Sequence, residues 1–261
     1  MQFDLTGRVV LVTGAYHGIG YACAEACLAA GASVMVHARR EEDLPGALAR
    51  LASPNAAGVA GDLKAAETPK QIVAQTVEHF GRLDGLVNNA ALLTRSNIEA
   101  ISYDHLQEMF AVNVTAPLLL IQAALPHLDT PQGGAVVNIG SINAHCGAPH
   151  LLAYSATKGA LMTATRNLGD ALGGHNVRVN QINVGWTLTE NERKIQRAEG
   201  QPEDWLDRLP REFAPRGTIL MPEEIGAHTV FWLSPASAPA NGQVYELEQY
   251  PLIGRNRIVV K

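Results

Sequence analysis

Three side chains, Ser141, Tyr154 and Lys158, have the types and spacing needed to move a proton to or from a carbonyl oxygen. Tyr154 and Lys158 are four residues apart, so they would share one face of a helix. An ammonium group beside a phenol favours the phenolate and lowers the pKa of the phenol from about 10. Such a phenol can donate a proton to a ketone or accept one from an alcohol, while a serine hydroxyl stabilises the same oxygen.

The tyrosine–lysine pair alone does not establish catalysis. Tyr-x-x-x-Lys also occurs on ordinary helices, as a partly buried ring beside a lysine whose ammonium reaches solvent. Here the pair opens a predicted helix, 154–172, and a predicted strand, 134–139, ends just before Ser141. A glycine-rich loop near the N-terminus adds a predicted cofactor site, and this combined placement favours a catalytic pair.

The glycine-rich loop follows the first apolar run of the chain and precedes an alanine-rich helix. Glycine lets a backbone approach a pyrophosphate closely, and a helix N-terminus offers free N–H groups. The spacing is G-x-x-x-G-x-G, which departs from G-x-G-x-x-G, and a tight turn is the simpler alternative. Position in a β-α-β unit favours dinucleotide binding. The loop residues predicted to bind are Gly14, Tyr16, His17, Gly18, Ile19 and Gly20.

The residues after the second predicted strand bear on which dinucleotide is bound. An acidic residue there would hold the ribose of NAD, but none occurs in 37–40. Arg39 and Arg40 suit the 2′-phosphate of NADP, because a guanidinium matches phosphate geometry. NADP is therefore favoured over NAD. Alternatively, both arginines simply pair with the acidic residues at 41–43 on the surface.

Short apolar runs alternate with helical patterns along the whole chain. The predicted strands are 8–13, 33–37, 58–62, 83–88, 134–139, 177–182 and 243–247. The predicted helices are 21–30, 69–80, 103–125 with a kink at Pro117, 154–172 and 222–233. This alternation predicts one α/β domain, residues 1–261, with a doubly wound parallel sheet. The long irregular stretch 186–218 predicts a substrate loop or lid.

Composition narrows the class of protein. A net charge of −5 lacks the basic footprint of nucleic-acid binding. No run reaches the roughly 18 apolar residues of a membrane span, and Met1–Leu5 lacks the basic start of a signal peptide, so a cytoplasmic location is expected. Cys23 and Cys27, with Cys146, form no disulfide framework, and buried structural thiols are favoured over a redox or metal role. No metal site is predicted.

Several short motifs lie between these predicted elements. They are Thr13-Gly14-x-x-x-Gly18-Ile19-Gly20, Gly61-Asp62-Leu63, Asn88-Asn89-Ala90, Asn113, Ser141, Tyr154-Ser155-Ala156-Thr157-Lys158 and Asn183-Val184-Gly185-Trp186-Thr187. In this combination the sequence resembles the short-chain dehydrogenase/reductase family over nearly its whole length. The resemblance implies a Rossmann-like fold of about seven strands and hydride transfer between a nicotinamide and an alcohol or ketone. It also implies a homotetramer or homodimer joined through helices 103–125 and 154–172.

The resemblance also implies a role for each matching residue. Tyr154 would be the general acid or base, and Ser141 would orient the substrate oxygen. Lys158 would bind the nicotinamide ribose, and Asn113 would anchor a water that relays protons from it. Asp62 beside Leu63 would hold the adenine. The remaining cofactor contacts would come from Asn88, Asn89, Ala90, Gly185 and Thr187.

Substrate contacts are expected from loops at the strand ends. The candidates are Leu92, Leu93, Thr94, Arg95, Asn143, His145, Cys146, His150 and the range 186–192. This polar set favours a hydroxylated or anionic small molecule, such as a sugar, sugar acid or polyol.

Other functions remain open at this point. A 3-oxoacyl-thioester reductase would use the basic residues Arg193, Lys194 and Arg197 to meet an acidic carrier protein. A non-catalytic cofactor-binding regulator need not keep the serine, tyrosine and lysine, and a sugar-nucleotide epimerase spaces its glycines differently. The tail 248–261 would either lie on the surface or pack on a neighbouring subunit, with no preference between the two.

Overall fold

A single seven-stranded parallel sheet forms the centre of the computed structural model, which describes residues 3–251. Its strands are β1 (Val9–Val12), β2 (Ser33–Ala38), β3 (Ala56–Ala60), β4 (Gly85–Asn88), β5 (Gly134–Ile139), β6 (Val177–Val184) and β7 (Val244–Leu247). They lie in the order β3-β2-β1-β4-β5-β6-β7, so the order reverses between β1 and β4. The seven predicted strands and the doubly wound topology are confirmed.

Helices cover both faces of the sheet. They are α1 (Gly18–Ala29), α2 (Leu44–Leu51), α3 (Thr68–Phe80), α4 (Tyr103–Phe110), α5 (Ala116–Leu128), α6 (Leu152–Ala171), α7 (Glu190–Ala198) and α8 (Pro222–Leu233). Short 3₁₀ turns and one π turn connect some of them. The sequence analysis missed α2, although Leu44, Leu48 and Leu51 recur at helical spacing and pack against the core, because Pro45 and Gly46 in its first turn resemble a turn signal.

Alternating strand residues supply the two halves of the core. Val10 and Val12 of β1 face the layer that contains α1 and α8, while Val9 and Leu11 face the layer that contains α3 and α5. All four are buried, because a parallel sheet covered on both sides has no solvent face. This explains why the strands appear in the sequence as continuous apolar runs.

The two cysteines of α1 are part of the first layer. Cys23 and Cys27 are fully buried, and the Cys23 thiol contacts the Thr229 hydroxyl at 3.3 Å. Burial raises the pKa of Cys23 to about 12 and that of Cys27 well above its ordinary value. Thiols that stay protonated are poor nucleophiles, so both act as small apolar side chains.

The predicted helix 103–125 is interrupted in the structure. Between α4 and α5, residues Ala111–Thr115 form one π turn. The change of helix type falls just before Pro117, which lacks the N–H group that a regular helix uses. A π turn inside a helix often marks a functional site, and this one carries Asn113.

The segment Tyr103–Leu128 is, by length and composition alone, apolar enough to cross a membrane. In this structure 44% of its most apolar 18-residue window is buried inside the domain. Leu120 and Ala124 pack into the core beneath the sheet. Core packing therefore accounts for much of its apolar character.

The prediction that 186–218 is irregular is wrong for its first half. This stretch contains α7 and, further on, a 3₁₀ turn at Trp205–Arg208. The Thr189 hydroxyl caps α7 by accepting a hydrogen bond from the Glu192 N–H at 3.0 Å. The Thr-x-x-Glu signature of a helix start was present in the sequence and could have predicted α7.

Candidate active site

A cleft of about 750 Å³ runs along the carboxyl ends of the strands. It lies where the strand order reverses, which is where open α/β sheets bind ligands. The predicted residues that line it are Gly14, Tyr16, His17, Gly18, Ile19, Gly20, Arg39, Asp62, Leu63, Asn89, Ala90, Ser141, Tyr154, Lys158, Gly185 and Thr187. Arg40 and Asn113 were also predicted but are not part of the lining.

The glycine-rich loop leaves backbone N–H groups at the N-terminus of α1 free. His17 occupies the N-cap position without a side-chain hydrogen bond to the helix. Gly20 has no room for a side chain, because a Cβ there would overlap the Asn89 amide and the Gly14 carbonyl. An uncapped helix end approached by bare backbone suits a pyrophosphate, so the loop fits a dinucleotide cofactor.

Asn89, the residue that follows β4, holds the glycine-rich loop in place. Its side-chain N–H groups donate to the carbonyls of Thr13 at 2.8 Å and Gly14 at 3.1 Å. The Thr13 hydroxyl in turn accepts from the backbone N–H groups of Asn89 and Ala90. The neighbouring Asn88 is buried and donates to Asn138, so it ties β4 to β5 away from the cleft.

A buried histidine that the sequence analysis treated only as part of a strand also lines the cleft. His37 Nδ1 accepts a hydrogen bond from the Gly14 N–H at 3.2 Å, and Nε2 lies 2.9 Å from the Gly61 carbonyl. A carbonyl only accepts, so Nε2 carries the proton and the ring is neutral. Burial lowers the pKa of His37 and thereby favours this neutral form. The ring thus links the glycine-rich loop to the end of β3.

The two arginines after β2 differ in their surroundings. Arg39 lines the cleft, and its Nε donates to Asp62 at 3.1 Å. Arg40 makes ion pairs with Glu42 and Asp43 outside the cleft. The surface pairing that the sequence left open therefore describes Arg40, while Arg39 stands beside the residue expected to hold the adenine.

The three predicted catalytic side chains meet at the other end of the cleft. Ser141 directly follows Gly140 after β5, and its hydroxyl accepts a hydrogen bond from the Asn143 N–H at 3.1 Å. Lys158 is 3% exposed, and its ammonium donates to the carbonyl of Ile139, the last residue of β5, at 2.7 Å. The Lys158 Nζ lies 5.7 Å from the centre of the Tyr154 ring. All three side chains line the cleft together.

The expectation that Lys158 lowers the pKa of Tyr154 is wrong for this structure. Burial raises the pKa of Tyr154 to about 12, and contact with the Ser141 hydroxyl only partly opposes this shift. Burial also lowers the pKa of Lys158 to about 8. Lys158 does not offset the burial of Tyr154, because its ammonium donates to a carbonyl and not to the phenol. At neutral pH Tyr154 is therefore a protonated phenol, ready to donate.

Asn113 acts on the cleft through the backbone. Its side chain exchanges two hydrogen bonds with the backbone of Leu92, at 2.7 and 2.9 Å. It also donates to the hydroxyl of Thr157, the residue before Lys158, at 3.0 Å. The π turn therefore connects the loop after β4 to the helix that carries Tyr154.

Glu248 lies against the expected nicotinamide end. Its carboxylate accepts from the Trp186 N–H at 3.2 Å and from the Gln249 N–H at 2.6 Å. A Cβ on Gly185 would overlap this carboxylate, so a side chain at that position would force Glu248 to move. The first residue of the predicted tail thus packs on its own chain, whereas 252–261 lie outside the described residues.

The substrate end is lined partly by the predicted loops. The side chains that line the cleft there are Leu92, Leu93, Arg95, Asn143, His150, Trp186, Thr187, Thr189, Asn191 and Glu192. Gln196 of α7 and Glu199 at its C-terminal end join them. Thr94, His145 and Cys146 do not line it. His145 instead pairs with Glu246 at 2.6 Å. Gln196 and Glu199 were missed because α7, whose turns bring them to the cleft, was not predicted.

The fold and the cleft define a nicotinamide-dependent oxidoreductase acting on CH–OH groups, and comparison with known proteins agrees. A family model described as short chain dehydrogenase matches residues 8–200. The chain belongs to the short-chain dehydrogenase/reductase family, whose members bind a nicotinamide cofactor.

Three relatives show the range of this similarity. D-threitol dehydrogenase of Mycolicibacterium smegmatis is 33% identical over 92% of this chain and 91% of that protein. Gluconate 5-dehydrogenase of Gluconobacter oxydans is 30% identical over 93% of each. The crystal structure of a 3-oxoacyl (acyl-carrier-protein) reductase from Agrobacterium tumefaciens, with NADP bound, has a TM-score of 0.86. It is 31% identical and covers 94% of this chain and 95% of that one.

Proposed function

We propose that this protein transfers a hydride between NADP and a secondary alcohol or ketone of a polar small molecule, such as a sugar, sugar acid or polyol. The observation that carries this proposal is the meeting of Tyr154, Ser141 and Lys158 at one end of a cleft whose other end is a glycine-rich dinucleotide loop. When bound, the nicotinamide supplies or accepts the hydride at the substrate carbon.

The protein's own groups handle the proton. In ketone reduction Tyr154 donates its phenolic proton to the substrate oxygen, and the Ser141 hydroxyl hydrogen-bonds to that oxygen. Lys158 would hold the nicotinamide ribose when the cofactor is bound, and its ammonium would return a proton to the tyrosine, with Asn113 as the expected anchor of a relaying water. The raised pKa of Tyr154 keeps the phenol protonated at neutral pH, as the donor in ketone reduction must be.

The lining of the substrate end supports a polar substrate. Asn143, His150, Asn191 and Gln196 place amide and imidazole groups around the space beside the three predicted catalytic side chains. A hydroxylated substrate could hydrogen-bond to these groups, whereas a long acyl chain or a steroid has few or no polar atoms to pair with them. The names of two relatives, a threitol and a gluconate dehydrogenase, accord with this substrate class.

Nicotinamide absorbance tests the proposal directly. The purified protein is mixed with polyols, sugars, sugar acids and simple alcohols with NADP⁺ or NAD⁺, and with the matching ketones and NADPH or NADH. Turnover of a polyhydroxylated compound is the expected result. Preference for bulky apolar ketones would contradict the substrate class, and cofactor binding without turnover of any compound would favour a regulator.

The preference for NADP rests on Arg39. Its Nε is engaged with Asp62, and its two terminal nitrogens have no hydrogen-bond acceptor within residues 3–251. A guanidinium with free N–H groups at the cleft edge suits the 2′-phosphate. Arg40, by contrast, is committed to Glu42 and Asp43.

Arg39→Ala is expected to weaken NADPH binding by about 10- to 100-fold, the effect of one lost charge-assisted contact, while NADH binding changes little. Cofactor fluorescence titration measures both dissociation constants. Arg40→Ala is the matched control, because it removes a neighbouring arginine of equal exposure that does not line the cleft. An equal loss for NADPH and NADH would contradict a phosphate-binding role for Arg39.

Reduction of a 3-oxoacyl thioester is the second candidate function. It is favoured by the similarity to the solved acyl-carrier-protein reductase and by three exposed basic residues on α7, Arg193, Lys194 and Arg197. These side chains lie on the helix that borders the cleft, where an acidic carrier could dock. Reduction of acetoacetyl thioesters, with no turnover of polyols, would establish this function instead.

The proposal also covers the oligomeric state and the cellular location of the protein. We infer a homo-oligomer, dimer or tetramer, because Tyr103, Phe110 and Leu152 leave large apolar side chains exposed on the helices expected to join subunits. A cytoplasmic location and a small-molecule substrate remain part of the same proposal.

A further inference from the structure

One carboxylate in the substrate end of the cleft has a free oxygen. Glu192 Oε1 accepts hydrogen bonds from the Trp186 indole at 2.8 Å and from the Gln196 amide at 2.7 Å. Its other oxygen, Oε2, has no donor within residues 3–251. Glu192 lines the cleft and is half-buried. A carboxylate oxygen left over in this way is an acceptor available to a bound molecule.

The side chains around Glu192 hold the carboxylate in one orientation. The Trp186 ring stacks on Trp205, with ring centres 5.5 Å apart, and both pack with Leu188 and Ile219. Trp186 also follows Gly185 directly at the nicotinamide end. The hydrogen bond from its indole to Oε1 therefore ties the Glu192 carboxylate to the floor of the cleft, which holds the free Oε2 as a fixed acceptor.

Among the charged side chains that line this end of the cleft beside the three predicted catalytic side chains, Glu192 is the one without an ion-pair partner within residues 3–251. The one arginine of the lining there, Arg95, makes an ion pair with Glu199 across the mouth of the cleft. Its charge is thereby matched, while Glu192 has no cationic partner within residues 3–251. A substrate carboxylate would meet like charge in a partly desolvated site, which is unfavourable, whereas a hydroxyl could donate to Glu192.

We infer that Glu192 selects neutral polyhydroxylated substrates over sugar acids, by accepting a hydrogen bond from a hydroxyl of the substrate. This inference rests on the proposed function and narrows its substrate class. Glu192 is a specificity residue in this scheme. It exchanges no proton with the reacting carbon or oxygen, and the catalytic steps remain those of Tyr154, Ser141 and Lys158.

A neutral polyol and the sugar acid of equal carbon number form the test pair. The wild type is expected to oxidise the polyol with a kcat/KM at least about tenfold higher, the effect of one charge-assisted hydrogen bond. Glu192→Gln keeps an oxygen for Trp186 but removes the charge. This variant is expected to raise KM for the polyol, to lower KM for the acid, and to leave kcat for the polyol nearly unchanged.

Glu190→Gln is the matched control, because Glu190 lies on the same helix, is exposed and does not line the cleft. NADPH titration checks that each variant still binds cofactor. If Glu192→Gln changes KM for both substrates equally, Glu192 only supports the packing of α7 and the inference is overturned. A wild type that prefers the acid also overturns it while leaving the proposed function intact. No turnover of either substrate class would overturn the proposed function and the inference with it.

Discussion

Tyr154→Phe is expected to lower kcat for ketone reduction by about 10²- to 10⁴-fold, the usual contribution of a general acid. The variant loses the only atom that can donate to the substrate oxygen from this position, while the ring still fills its place in the cleft. Cofactor binding and the unfolding temperature should therefore stay close to those of the wild type. The effect is large because proton transfer to the substrate oxygen is part of the transition state of the reaction.

Steady-state kinetics with a saturating ketone measures kcat. Fluorescence titration with NADPH separately measures the dissociation constant of the cofactor. Tyr103→Phe is the matched control, since Tyr103 is 74% exposed on α4 and does not line the cleft. The control should retain full activity. Retention of more than about a tenth of the wild-type kcat by Tyr154→Phe would show that another group supplies the proton.

Lys158→Met is expected to lower activity at least about hundredfold and to change how stability depends on pH. Burial lowers the pKa of Lys158 to about 8 in the folded protein, from 10.5 in the unfolded chain. Between these values the unfolded chain binds the proton and the folded protein does not, so stability rises with pH. The cost of burying the ammonium is therefore fully present below pH 8 and is relieved as pH rises towards 10.5.

The free energy of unfolding in urea is measured for the wild type and for Lys158→Met at several pH values from 7.5 upwards. The difference between the two proteins at each pH gives the contribution of Lys158. The wild type should gain about 3 kcal/mol relative to the variant across this interval, since one pKa unit corresponds to about 1.4 kcal/mol. Lys70→Met, which removes an exposed lysine of α3, should show a flat difference. A flat difference for Lys158→Met as well would mean that the ammonium is solvated in the folded protein.

The amino-acid sequence by itself determined the architecture and the position of the chemistry. Buried parallel strands need apolar side chains on both faces, so each strand appears as a short apolar run whatever its neighbours are. Gly18 and Gly20 at a helix start, and Tyr154 with Lys158 one helical turn apart, are local features, and local spacing predicts them. The family resemblance could be recognised for the same reason.

The environment of those residues was decided only by the tertiary structure. Arg39 and Arg40 are adjacent and chemically identical. Arg39 lines the cleft beside Asp62, whereas Arg40 pairs with Glu42 and Asp43, two and three residues further along the chain. Nothing local distinguishes them, since Asp62 reaches Arg39 only through the pairing of β2 with β3. The choice of ion-pair partner depends on distances that the fold sets.

The protonation state of Tyr154 and the contacts at the substrate end of the cleft also depend on the tertiary structure. Local spacing predicted a lowered pKa for Tyr154, whereas burial by segments distant in sequence raises it. Arg95 meets Glu199, and Glu192 keeps a free oxygen in the cleft, because α7 folds over strand ends far away along the chain. Residue types and spacing determine which groups can react, but desolvation and pairing act through space, so only the folded chain determines their charge and their specificity.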